Sequence, residues 1–101
     1  MIAQFDIVPV GAGSSISQYL ADVIDLVDKS GLDYRLTSMG TIVEGDWKEV
    51  IHLVKDCHDT MMKHVDRVIT HITIDDRKGY TDRIAGKVKS VEQRLGREVK
   101  K

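Results

Sequence analysis

The chain is 101 residues long, 42% apolar and 31% charged, with one proline and one cysteine. That length holds a single folded domain, residues 1–101, and leaves no room for a second core. No apolar run approaches the roughly 18 residues of a membrane span, and neither the basic start nor the apolar block of a secretory leader is visible, so a cytoplasmic protein without a membrane partner is expected. Cys57 stands alone and can form neither an internal disulfide nor a cysteine-based zinc site. The 15 basic and 16 acidic side chains nearly cancel, but they are divided along the chain. Residues 1–76 carry six basic and thirteen acidic groups, whereas 77–101 carry nine basic and three acidic ones. The two parts attract each other. A nucleic-acid surface needs aromatics interleaved with its cations, and Phe5, Tyr19, Tyr34, Trp47 and Tyr80 are scattered, so no nucleic-acid partner is expected.

From Ile2 to Val10 the residues alternate with the period of a half-buried strand. Gly11 to Gly13 break it, and Ser15 with Gln18 spells a capping box for a helix whose stripe is Ile16, Tyr19, Leu20, Val23, Ile24 and Val27, stopped by Gly31. Tyr34–Met39 and Thr41–Gly45 are two short runs joined around Gly40, which suits a hairpin with glycine where φ is positive. Asp46 and Glu49 form a second capping box. Trp47, Val50, Ile51, Val54, Cys57, Met61 and Val65 then hold one helical face for about five turns. Arg67–Asp75 alternates again, and a last helix from about Asp82 to Leu95 has a narrow stripe of Ile84, Val88, Val91 and Leu95 that must pack on the body or on a partner.

This order predicts an α+β fold, a ferredoxin-like βαββαβ sandwich with an additional C-terminal helix. Both helices then cover one sheet face. The other face would carry Gln4, Asp6, Val8, Arg35, Thr37, Met39, Ile69, His71 and Thr73, too apolar for water alone and too polar for a dry core. It is expected to meet another subunit and partly line a pocket.

Chemical motifs are few. Gly11 to Ile16 lies between strand and helix, where amides receive anions, but a dinucleotide fingerprint needs a third glycine at Ile16. His52, Asp56, Cys57, His58, Asp59 and His64 crowd one helix without converging, so no metal site is expected, and Cys57 reads as core. No catalytic triad or close carboxylate pair is evident. Glu44 is more informative: a carboxylate on an interior strand must be hydrogen-bonded or paired, either by a ligand or by amides at the start of the following helix.

Val8-Pro9-Val10-Gly11 with Ser15-Ile16-Ser17, then Gly40-Thr41-Ile42-Val43-Glu44-Gly45-Asp46-Trp47, and then Ile72 to Arg77, together resemble the small thiamine-binding proteins of the YkoF-like group. The Gly-Thr-x-x-Glu-Gly block is the most specific of the three. The resemblance implies a homodimer or homotetramer that binds thiamine or its hydroxymethylpyrimidine moiety without catalysis, in transport, storage or salvage, and it implies no cofactor. The ligand-binding residues expected on this basis are Ser15, Ser17, Thr37, Met39, Thr41, Glu44 and Arg77. Glu44 and the hydroxyls would meet the aminopyrimidine, and Tyr19, Trp47 or Asp6 the cationic thiazolium. Two other functions use the same open face: a regulatory module sensing another metabolite, and a dimeric monooxygenase-like enzyme with His71 exchanging protons.

Overall fold

The computed structural model describes residues 1–11 and 17–101. Its elements are β1 (Ile2–Pro9), α1 (Ser17–Lys29), β2 (Asp33–Thr37), β3 (Gly40–Glu44), α2 (Trp47–Met62), β4 (Val68–Asp75) and α3 (Arg83–Leu95). All strand pairs are antiparallel, in the order β2-β3-β1-β4, and the fold is the expected ferredoxin-like α+β sandwich with an added helix. The Ser15–Gln18 capping box depends on residues 12–16, which lie outside those described.

The alternation in β1 buries Ala3, Phe5 and Ile7 and leaves Gln4 and Val8 exposed. Val23 and Val27 of α1, Val50, Leu53, Val54, Cys57 and Met61 of α2, and Val43 of β3 close over them as one core. Each buried Val, Leu, Ile, Phe or Met among them contributes about 1.5–3 kcal/mol by leaving water. α1 stops before Gly31, whose φ of 76° is the left-handed turn a glycine supplies readily. At the start of α2 the Asp46 carboxylate accepts the Glu49 N–H at 2.8 Å, while Glu49 accepts the Asp46 N–H at 3.2 Å. This reciprocal box satisfies two amides that a helix start otherwise leaves open.

Three features depart from the sequence reading. α2 ends at Met62, short of Val65, because the chain turns at Lys63 and His64 toward β4. Trp47 and Ile51, expected on the buried stripe, are 56% and 40% exposed. They lie about 100° round the helix from Val50 and Cys57 and so sit on its flank. The second sheet face is also not wholly bare, since the first turn of α3 sits against its end at Glu44. Ile84 is buried there, whereas Val91 and Leu95 further along α3 are half exposed. The outline is elongated, 47 × 28 × 21 Å, with a radius of gyration of 15.2 Å against about 13 Å for a compact chain of this length.

β1 and β3 differ in length, and this shapes the molecule. β4 pairs with β1 throughout, from Ile2↔Asp75 to Pro9↔Val68, but β3 pairs only from Ile2↔Glu44 to Phe5↔Thr41. The pairing ends where the β2–β3 hairpin turns at Gly40. A Cβ on Gly40 would lie 2.9 Å from the Phe5 carbonyl oxygen, and its φ is 146°. Gly40→Ala is therefore expected to lower stability by about 1–3 kcal/mol in urea unfolding. Gly79→Ala has the same kind of φ penalty but nothing within 4 Å, and should cost measurably less.

Candidate functional site

Because β1 outruns β3, the flank of Phe5, Asp6 and Ile7 opens into a cleft of about 440 Å³ beneath α1 and the hairpin. Leu20, Val23 and Ile24 of α1 form one wall, and the hairpin residues Leu36 to Thr41 form the other. The lining is apolar around a small set of polar groups, Asp6, Thr37, Ser38 and Thr41, the usual make-up of a small-molecule site of this size. Thr41 is buried in the wall, 5% exposed, whereas Met39 overhangs the rim and is 80% exposed. The Thr37 hydroxyl is already engaged: it donates to the Gly40 carbonyl at 2.7 Å and accepts the Met39 N–H at 3.1 Å, which locks the turn. Asp6 faces His71 across the sheet, with 3.0 Å between carboxylate and Nδ1.

The seven residues expected at the site do not all meet. Thr37, Met39 and Thr41 line the cleft together. Ser17 opens α1, exposed and one turn before Leu20; Ser15 lies outside the described residues. Glu44 is three residues along β3 from Thr41, about 10 Å away at the opposite end. Both of its oxygens are taken: Oε2 accepts the Arg83 N–H at 2.9 Å and Oε1 the Ile84 N–H at 3.1 Å. Of the two sequence readings for Glu44, amide acceptance is what the geometry displays, although the amides begin α3 and not α2. Arg77 belongs to this second locus as well, stacked 3.7 Å over the Tyr80 ring, with Arg83 on the same ring at 5.3 Å. Asp33, Glu44 and Asp82 bring three carboxylates within 4.8 Å of one another there.

Among the groups proposed for a cationic ring, only Asp6 lines the cleft. Trp47 stands at the start of α2, and Tyr19 is stacked on His64 at 4.5 Å. The other polar groups of α2 take separate partners, His52 with Asp56 at 3.2 Å, Lys55 with Asp59 at 2.6 Å, and His58 with Thr70 at 2.6 Å. Burial pushes the Cys57 thiol up to about 12, with the neighbouring Asp56 charge adding to it, so this sulfur is an inert core group at neutral pH. A second groove, about 360 Å³, runs between α1 and α2 past Leu26, Leu53, Glu49 and His52. The apolar wall of α1 and Ser38 were missed in the sequence. The signal that finds them is the eight-residue β1 set against the shorter β3, since unequal partners must leave a strand flank open.

These features define a small ferredoxin-like domain with one helix-roofed cleft at the end of its sheet. The chain belongs to the thiamine-binding protein family, whose sequence pattern it matches over residues 3–92. It is 35% identical to the UPF0045 protein MJ1052 of Methanocaldococcus jannaschii over 91 residues, covering 90% of this chain and 91% of that one. The crystal structure of MJ1052 superposes with a TM-score of 0.83 over 91% of this chain and 95% of that one. A UPF0045 protein of Staphylococcus xylosus is 37% identical over 95 residues, 88% of this chain and 89% of the relative. A Thermotoga maritima protein, TM0486, described as a candidate thiamine biosynthesis/salvage protein, shares the fold at a TM-score of 0.78 and 21% identity, over 89% of this chain and 96% of that one.

Burial raises the Glu44 carboxyl, but the Arg83 and Ile84 amides, the chain's amino terminus and the Asp82 amide together hold it below the ordinary value of 4.5. A carboxyl depressed in the folded state stabilises its contacts above its unfolded pKa and loses that contribution as pH falls through the folded one. Hydrogen exchange at Arg83 and Ile84 should thus be protected at neutral pH and lose protection only in acid below the ordinary carboxyl value of 4.5. In Glu44→Gln the amides should be weakly protected at both pH values.

Proposed function

We propose that this protein binds thiamine, or its hydroxymethylpyrimidine half, in the cleft between the hairpin, β1 and α1, as a non-enzymatic homo-oligomer in cytoplasmic transport, storage or salvage of the vitamin. The family match over residues 3–92 carries this reading, and an apolar cleft with a few polar groups supports it. A thiazolium cation is favoured by a carboxylate, and Asp6 stands on the β1 flank of the cleft with its carboxylate turned toward His71 on the open face. The Thr41 and Ser38 hydroxyls suit ring nitrogens and an exocyclic amine, and the Met39 thioether suits the flat face of an aromatic ring. In this reading Glu44 and Arg77 anchor α3 and act on the ligand only through the end of the sheet. Self-association is supported by the exposed Val8 and Ile69 beside Asp6 and His71 on the open face.

Calorimetric titration tests the assignment. Thiamine should bind the intact protein, Thr41→Val should weaken binding about tenfold or more, as removal of a buried polar partner does, and Asp6→Asn, at a part-exposed carboxylate, should weaken it by a smaller factor. Glu44→Gln should change affinity by less than about threefold. Absence of heat with both thiamine and hydroxymethylpyrimidine, or unchanged affinity in both cleft variants, would refute it.

A further inference from the structure

The two edges of the sheet are built differently. The β2 edge is five residues long and carries Asp33 and Arg35, paired at 3.1 Å. The β4 edge runs for eight residues, Val-Ile-Thr-His-Ile-Thr-Ile-Asp, with no lysine, proline or break in its register with β1. Short and charged edges resist pairing with other chains; long, flat, β-branched ones invite it. The direction of its free backbone groups follows from one contact. The Val10 N–H donates to the Arg67 carbonyl at 2.8 Å, so, with hydrogen bonding alternating along an antiparallel pair, the odd-numbered residues of β4 bond to β1. Pro9, which has no N–H, accordingly sits opposite Val68 at a non-bonded position. Val68, Thr70, Ile72 and Ile74 therefore present their N–H and C=O groups outward.

We propose that β4 pairs antiparallel with β4 of a second copy of this chain about a twofold axis at His71, giving a continuous eight-stranded sheet. This rests on the homo-oligomer reading above and names the edge that would build it. In this register Arg67 lies opposite the partner's Asp75 at both ends, Val68 opposite the partner's Ile74, and Thr70 opposite the partner's Ile72. Opposed residues share a face, as antiparallel pairing demands, and the two end pairs have opposite charge. Moving the axis two residues either way separates Arg67 from the partner's Asp75. The helix layer agrees with the same axis. Trp47, Ile51, His58 and Met62 fall on one flank of α2, and His58 contacts Thr70 of β4, so that flank borders the free edge. Trp47, Ile51, Met62 and the edge residue Ile72 are all exposed. A twofold at His71 runs the two α2 helices antiparallel and sets the Trp47 end of one beside the Met62 end of the other, covering this apolar strip.

At the axis, His71 faces its own copy in a non-bonded pair, with Cα atoms about 4.5 Å apart, inside the range a disulfide spans. The test is mild oxidation of the full-length protein followed by non-reducing electrophoresis, with the unmodified protein as the control for Cys57. His71→Cys should become a covalent dimer. Thr73→Cys alone should not, because its two copies lie four residues out of step, roughly 13 Å apart. An equal mixture of Ile69→Cys and Thr73→Cys should cross-link, since these positions are opposed. If the unmodified protein sediments as a dimer or larger and neither His71→Cys nor the mixture cross-links, the edge interface is wrong while self-association stands. If Thr73→Cys alone cross-links as readily as His71→Cys, the register is wrong. A monomer at high concentration would overturn both this interface and the assembly on which it rests.

Discussion

The molecule is organised by the unequal pairing of its central strand. β1 is bonded along its whole length by β4 but only as far as Phe5 by β3. The limit is set by Gly40, whose bare Cα lets the hairpin turn directly against the Phe5 carbonyl; a side chain there would collide with backbone that the ladder holds in place. Beyond that point the sheet has a flank without a partner, and α1 roofs it. The cleft is thus a consequence of strand length and one glycine, and its hydroxyl groups, those of Thr37, Ser38 and Thr41, are brought to the opening by the hairpin.

The opposite end of the sheet solves a different problem. The first amides of a helix need acceptors, and those of α3 find the Glu44 carboxylate across 39 and 40 residues of chain. Asp82, in the left-handed region at φ 54°, turns the chain into this contact, and the ion pair of Lys87 with Asp75 holds the next turn of α3 to the end of β4. Basic α3 is thereby fixed to the acidic body at its first turns, while Val91 and Leu95 project beyond it. The cleft and the helix anchor lie at opposite ends of β3, so a substitution at one reaches the other only through the sheet.

Much of this was legible from residue order. The alternations of β1 and β4 assigned each side chain to its face, Asp46 and Glu49 marked the start of α2, and Gly40 marked the hairpin, because these are local signals with one physical solution each. What escaped was long-range. Glu44 could be recognised as a carboxylate in need of a partner, but nothing in the block around it says that a helix forty residues later returns to supply the amides. Trp47 and Ile51 share the spacing of the α2 stripe, yet their exposure depends on how far α2 is rotated over β1 and β4. Thr37 lines the cleft with Thr41 and Met39, but its hydroxyl serves the turn, a use that only the geometry around Gly40 reveals. Ser15 belongs to the undescribed segment.

The most direct test of the account is to follow the backbone amide signals of isotopically labelled protein by NMR during titration with thiamine. The account predicts shifts concentrated at Phe5, Asp6 and Ile7, at Leu36 to Thr41 and along the cleft side of α1, with Arg83 and Ile84 little changed. Shifts centred on Glu44, Arg77 and the start of α3, with the hairpin silent, would contradict it.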